Sequence, residues 1–340
     1  MATFSGQLKT NEVIGALFNQ IISIQTFADN IKGNVHGSFY EANKVDGSLY
    51  GDTKLYISTD IPEVRDWTAD SEAGNLLKLY RPADPSTQAI SLSNFKYVAV
   101  TIDNYMTKRS FSDEGSFSQF NSVVLGWLRD AKKVYMTKYF NVHAGIETSN
   151  AEVIVTPSSG QTLAQAVGLA VANLLVELQD ASRDYNDLGV MRSYSDEDIC
   201  IVWNAKYLNQ ITKLDLPVIF NNEGLVEKLG QYVLPEIYFG TKDTSKSASS
   251  RSIAGETVNS IYKYPGEVVG ATATGETYTP AEDVIAKITV RGALPIMGSF
   301  ETTTNFFNEA SLTETQRLIW GFNEVEHLAE KPYITLKYGE

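Results

Sequence analysis

The sequence predicts an α+β protein, because helical and strand periodicities occupy separate stretches of the chain and a third stretch carries too few large apolar residues for a core of its own. From Ser116 to Phe140 apolar side chains recur at helical spacing. Several shorter runs, KYVAVTID the clearest, alternate as half-buried strands do. Between positions 33 and 92, turn glycines interrupt brief β-prone runs, which predicts a long hairpin-like excursion lying on another surface.

The elements follow in order. Val13, Ile14, Leu17, Phe18, Ile21 and Ile22 place an amphipathic helix within residues 10–31. Inside the excursion, KLYIST and the later LLKLYRPADPSTQAISL are the β-prone parts. In KYVAVTID, Val98, Val100 and Ile102 share one face and Tyr97, Ala99 and Thr101 the other, and SFSDEG supplies the turn that ends the run. Ser116 and Gln119 have capping-box spacing at the head of the long helix. Phe117, Phe120, Val124, Trp127, Leu128, Ala131, Tyr135 and Tyr139 form its apolar stripe, and Arg129, Lys132, Lys133 and Lys138 a solvated basic face.

A second capping box, Thr162 with Gln165, opens a helix whose stripe is Leu163, Val167, Ala170, Leu174 and Leu178. The segment SRDYNDLGVMRSYSDEDICIVWNAKYLNQI then sets a charged, turn-rich stretch before a strand in which Ile199, Ile201 and Trp203 face one way, with Asn204 capping a short helix. PVIFN and PEIYFG are expected as short strands flanking a helical EGLVEKL. Residues 242–260, rich in Ser, Thr and Gly, predict a loop tip. DVIAKITVRGALPIMGSF is expected to be one long strand with Val284, Ala286, Ile288 and Val290 alternating, and EKPYITLKY another that returns to an earlier sheet. No solenoid-length repeat is present.

Chemistry is sparse. A net charge of -13 over 340 residues opposes tight binding of nucleic acid through a basic surface. No run is apolar enough to cross a bilayer and the N-terminus lacks a secretory pattern, so a soluble, unsecreted protein is expected. Cys200, the single cysteine, sits in DICIVW as a small apolar residue rather than a nucleophile. His36, His143 and His327 have no metal-ligand spacing, and phosphate-cradling or nucleophile-elbow motifs are absent. Asp196, Glu197 and Asp198 invite a hydrolase reading with two carboxylates as acid and base, but neighbours on an extended chain point to opposite faces. They are expected to solvate a turn. No cofactor, metal or catalytic residue is predicted.

The order of these pieces resembles the major capsid proteins of tailed bacteriophages, a fold shared with encapsulin shells, and the segment from Ser182 to Ile211 is similar to the axial-domain passage of small podophage capsid proteins. The resemblance implies an N-terminal arm (1–32), an extended loop (33–92), a peripheral domain (93–156) with a spine helix at 116–140, an axial domain (157–280) and a return to the peripheral domain (281–340). It implies a shell of pentamers and hexamers around double-stranded DNA, assembled in the host cytoplasm with a scaffolding protein and portal, and touching DNA only weakly. An encapsulin-like compartment or a tail or baseplate protein is the alternative. The residues expected to form the structural core are Phe120, Trp127, Leu128, Leu174, Ile199, Ile201 and Trp203.

Overall fold

Alternating apolar residues gather most of the strands into two five-stranded sheets. The computed structural model describes residues 37–46, 53–66, 79–103, 114–146, 151–212, 230–243, 251–253, 256–258, 261–264, 267–269, 277–280 and 283–339. In chain order these contain α1 (Gly37–Ala42), β1 (Lys44–Asp46), β2 (Thr53–Ser58), β3 (Ser86–Asp103), α2 (Glu114–Ile146), β4 (Glu152–Val155), α3 (Leu163–Gln179), β5 (Ile199–Asn204), α4 (Ala205–Thr212) and β6 (Gly230–Leu234). A 3-10 turn (Glu236–Tyr238) leads to β7 (Gly240–Asp243), β8 (Arg251–Ile253), β9 (Glu256–Val258), β10 (Ile261–Tyr264), β11 (Glu267–Val269) and β12 (Thr277–Pro280). β13 (Val284–Val290), β14 (Ile296–Asn308), β15 (Thr313–Asn323) and β16 (Tyr333–Tyr338) complete the chain. The helix expected within 10–31, the SFSDEG turn, PVIFN and EGLVEKL lie outside the described residues.

One sheet has the order β1-β14-β15-β3-β2, the other β4-β16-β13-β5-β6. In β3 every even residue from Ser86 to Ile102 turns inward and every odd one outward, a period-two pattern kept along the whole strand. β5 and β13 are buried on both faces. Ile199, Ile201 and Trp203 pack with Val167, Val171, Leu174 and Leu178 of α3, whereas Val202 points to the opposite side, into a cluster with Phe140, Trp320, Phe322 and Tyr333. The two polar side chains of β13 are accommodated individually. Lys287 places its Nζ 5.4 Å from the centre of the Tyr333 ring, and Thr289 donates to the Pro332 carbonyl at 2.9 Å.

Several boundaries differ from the sequence expectation. α2 begins at Glu114, so Ser116 lies inside the helix rather than capping it, and continues past Phe140 to Ile146. Its last turns are held by tertiary contact: a Cβ on Gly145 would lie 1.7 Å from the Tyr238 carbonyl oxygen, so only glycine lets the helix approach that turn. PEIYFG is not a strand. Pro235 has no N–H for a ladder, and the chain makes a 3-10 turn after it; the strand is GQYVL immediately before.

DVIAKITVRGALPIMGSF is two strands, because Gly292 at φ 67 and Pro295 break it into β13 and β14, which join different sheets. The final sixty residues therefore do not return to one sheet: β14 and β15 extend β3, while β13 and β16 flank β5 and β4. Within 242–260, the expected loop tip, β8 and β9 pair antiparallel, Ile253 opposite Glu256. Residues 37–46 also belong to the body rather than to an excursion, since Phe39 is fully buried and β1 pairs with β14. The capping box of α3 forms as its sequence indicates, and Asn204 Oδ1 accepts from the Lys206 amide at 3.1 Å at the start of α4.

Candidate assembly surface

The described residues singled out for chemistry do not converge, and His36 lies outside the described residues. Cys200 is buried, and burial pushes its thiol up from the ordinary value. Asp196 accepts from the Gln179 side chain of α3, Asp198 from Ser195 Oγ at 2.6 Å, and Glu197 is exposed. His143 lies against Tyr139 within α2, ring centres 4.4 Å apart and tilted, and His327 lies 2.8 Å from Asp187. Among the described residues no group of His, Cys, Asp and Glu is arranged to hold a metal ion, and no helix is long and apolar enough to cross a membrane.

The expected core positions separate. Leu174, Ile199, Ile201 and Trp203 lie in the cluster beneath α3, with Trp203 at 2% exposure. Leu128, at 1%, joins Leu318, Trp320 and Phe322 of β15, and Tyr139 meets the Phe322 ring edge-on at 4.9 Å. Trp127 is only half-buried. The side chain of Phe120 lies outside the described residues. On the basic side of α2, Lys132 pairs with Glu301 at 2.7 Å, while Arg129 and Lys133 are exposed.

The fold leaves a set of large apolar side chains uncovered. β2 pairs with β3 from Thr53 opposite Ser91 to Ser58 opposite Ser86, and beyond that point residues 61–66 and 79–85 are exposed throughout. Val64 is 100% and Leu79 82% exposed, beside Ile61 and Tyr80, with the Arg65 guanidinium 4.2 Å over the Tyr80 ring. Leu55, Ile57, Phe95 and Tyr97 follow on the outward face of β2 and β3. At the far end of the same sheet, the β14–β15 hairpin exposes Phe306, Phe307 and Leu312. Leu312 has φ 52, a left-handed conformation disfavoured for a bulky side chain. Sequence reading expected this excursion to lie on another surface but named none of these side chains, although apolar residues among the prolines and charges of IPEVRDW and LYRPADP were their visible signal.

A polar cluster holds the two legs of this excursion where they leave the sheet. Asp60 accepts from the Met191 amide at 3.0 Å, the Ile61 amide at 2.9 Å and Arg183 at 2.9 Å, and the Met191 amide above all keeps its carboxyl below the usual carboxylate range. Arg192 donates to Ser58 Oγ at 2.9 Å and the Thr59 carbonyl at 3.2 Å, and approaches Glu330 at 3.5 Å. Tyr194, its hydroxyl pushed up to about 12 chiefly by burial, donates to the Glu330 carbonyl at 3.2 Å. On the other leg, Gln88 donates to the His327 carbonyl and accepts from the Ala329 amide, each at 3.0 Å.

The described arm thus presents large apolar side chains to water beyond the end of β2. The profile of the Phi29-like phage major capsid protein family matches residues 3–318. The chain belongs to this family. It is a structural protein of a phage capsid shell and part of the virion. Among solved structures, it is similar in fold to a chain in the capsid of Staphylococcus phage Andhra, with 12% identity over 89% of this chain and 84% of that one at a TM-score of 0.62. A chain in the structure of the head fiber and inner core protein gp22 of native bacteriophage P68 gives 16% identity, 87% and 83% coverage, and a TM-score of 0.57. Among curated proteins, none matches.

Proposed function

We propose that this capsid protein closes the head as pentamers and hexamers around double-stranded DNA, with each subunit's apolar arm covered by a neighbouring copy. The observation that carries this reading is Val64 and Leu79, almost wholly exposed where every described residue of 61–66 and 79–85 faces water. Apolar surface of that kind is stabilised only when another surface removes it from water, at roughly 25 cal/mol per Å². The sheet containing β3, together with α2, serves as the peripheral region, and the sheet containing β5, under α3, as the axial one.

A net charge of -13 keeps the shell from adhering to packaged DNA. A scaffolding protein and a portal complete the assembly, which takes place in the host cytoplasm, and the subunit needs no catalytic activity. Electron microscopy of purified protein and of infected-cell lysate tests the reading: closed shells with five-fold and six-fold capsomers are expected. Tubes, or subunits that remain dispersed at high concentration, would refute it.

A further inference from the structure

The stretch SRDYNDLGVMRSYS, which sets so much charge before the central strand, is left without a role by shell formation alone. The structure gives it a shape: Ser182 and Arg192 form an antiparallel bridge, with amide-to-carbonyl bonds of 3.1 and 3.0 Å. Inside that bridge Asn186 bonds the Val190 amide and carbonyl, at 2.9 and 2.7 Å, and Gly189 takes φ 62. The Asp187 and Leu188 amides donate to the Ala329 carbonyl, fastening the turn to the segment before β16. A closed turn of this kind is a rigid support.

From that support two guanidiniums reach the same short stretch of another element. Arg183 meets Asp60, and Arg192 meets Ser58 and Thr59, where β2 ends and the exposed arm begins. Ser58 is itself buried, so Arg192 there works partly out of water. Resting on the assembly reading above, we infer that Asp60, Arg183 and Arg192 are positioning residues that fix the direction in which the arm leaves the subunit, and thereby the curvature of the shell. The physical reason is leverage. The described parts of the arm beyond residue 60 are exposed, so its direction is set at its base. A change of angle there displaces the apolar residues that meet the neighbouring copy.

The test compares Arg192→Met, which keeps the side-chain length and removes the donors, with Arg192→Lys, which restores the charge but not the fork. Backbone hydrogen exchange of the unassembled full chain is followed at 53–60 and 86–91, with β13 as the internal reference. Shell diameter is measured by electron microscopy. Arg192→Met is expected to exchange about tenfold faster at the arm base with β13 unchanged, the size of effect a lost charge-assisted bond produces. It should give shells of scattered diameter or none, and Arg192→Lys should restore most of the wild-type size.

Faster exchange with an unaltered diameter would overturn the inference, as would unaltered exchange at the arm base. Should Arg192→Met loosen β13 as well, Arg183→Gln replaces it, since that side chain is 41% exposed and touches the arm through Asp60. The same two outcomes then decide. A wild-type protein that forms no shells would count against the proposed function, whereas the exchange measurement judges the clamp on the subunit alone.

Discussion

β13 and the arm beyond Asp60 are two apolar stretches treated in opposite ways by one fold. All seven residues of β13 are buried, and even Lys287 among them lies against a ring. In the arm, Ile61, Val64 and Leu79 face water. A strand between two paired neighbours loses its apolar surface within the chain, whereas the arm can do so only against something else. On the proposed function, the difference divides the molecule into a part whose stability is its own and a part stabilised by the assembly.

Four changes break or sharpen that division. The largest effect on the isolated subunit is expected at Trp203, 2% exposed beneath α3: Trp203→Ala should cost about 3–5 kcal/mol, read from denaturant unfolding of unassembled protein. Leu128→Ala, in the cluster that joins α2 to β15, should cost about 2–5 kcal/mol, whereas Trp127→Ala, on a half-buried side chain, should cost visibly less. Equal losses at the two positions would mean that α2 packs through both.

The arm should behave in the reverse manner. Changing Val64 and Leu79 together to Ser should leave unfolding of the subunit within about 0.5 kcal/mol of wild type while sharply reducing the yield of shells, scored by sedimentation. A clear loss of subunit stability would show that the arm packs on its own body. Smallest of all, Asp196→Asn with Glu197→Gln should change neither unfolding, within about 0.5 kcal/mol, nor shell yield, since both residues lie in an exposed or half-buried turn. Loss of a hydrolytic activity present in wild type would reopen the enzyme reading.

Local chemistry was legible in the sequence wherever a short stretch decides its own conformation. Thr162 and Gln165 cap α3 because the two bonds span three residues, and Asn204 caps α4 by the same short reach. The alternation in β3 and the apolar run of β5 needed no distant information to be recognised as strands. The α+β class and the resemblance to phage capsid proteins followed from the order of such elements. Their ends, sheets and partners did not. That α2 outlasts its apolar stripe depends on Gly145 meeting Tyr238, and that the two halves of one apolar run, parted at Gly292 and Pro295, join different sheets as β13 and β14 is decided by tertiary pairing. The clamp joins Asp60 to Arg183 and Arg192 to Glu330 across more than a hundred residues, and no local periodicity records such a pairing. Charged residues in a turn have the same sequence signature whether water or a distant guanidinium satisfies them, so only the tertiary structure could show which it is.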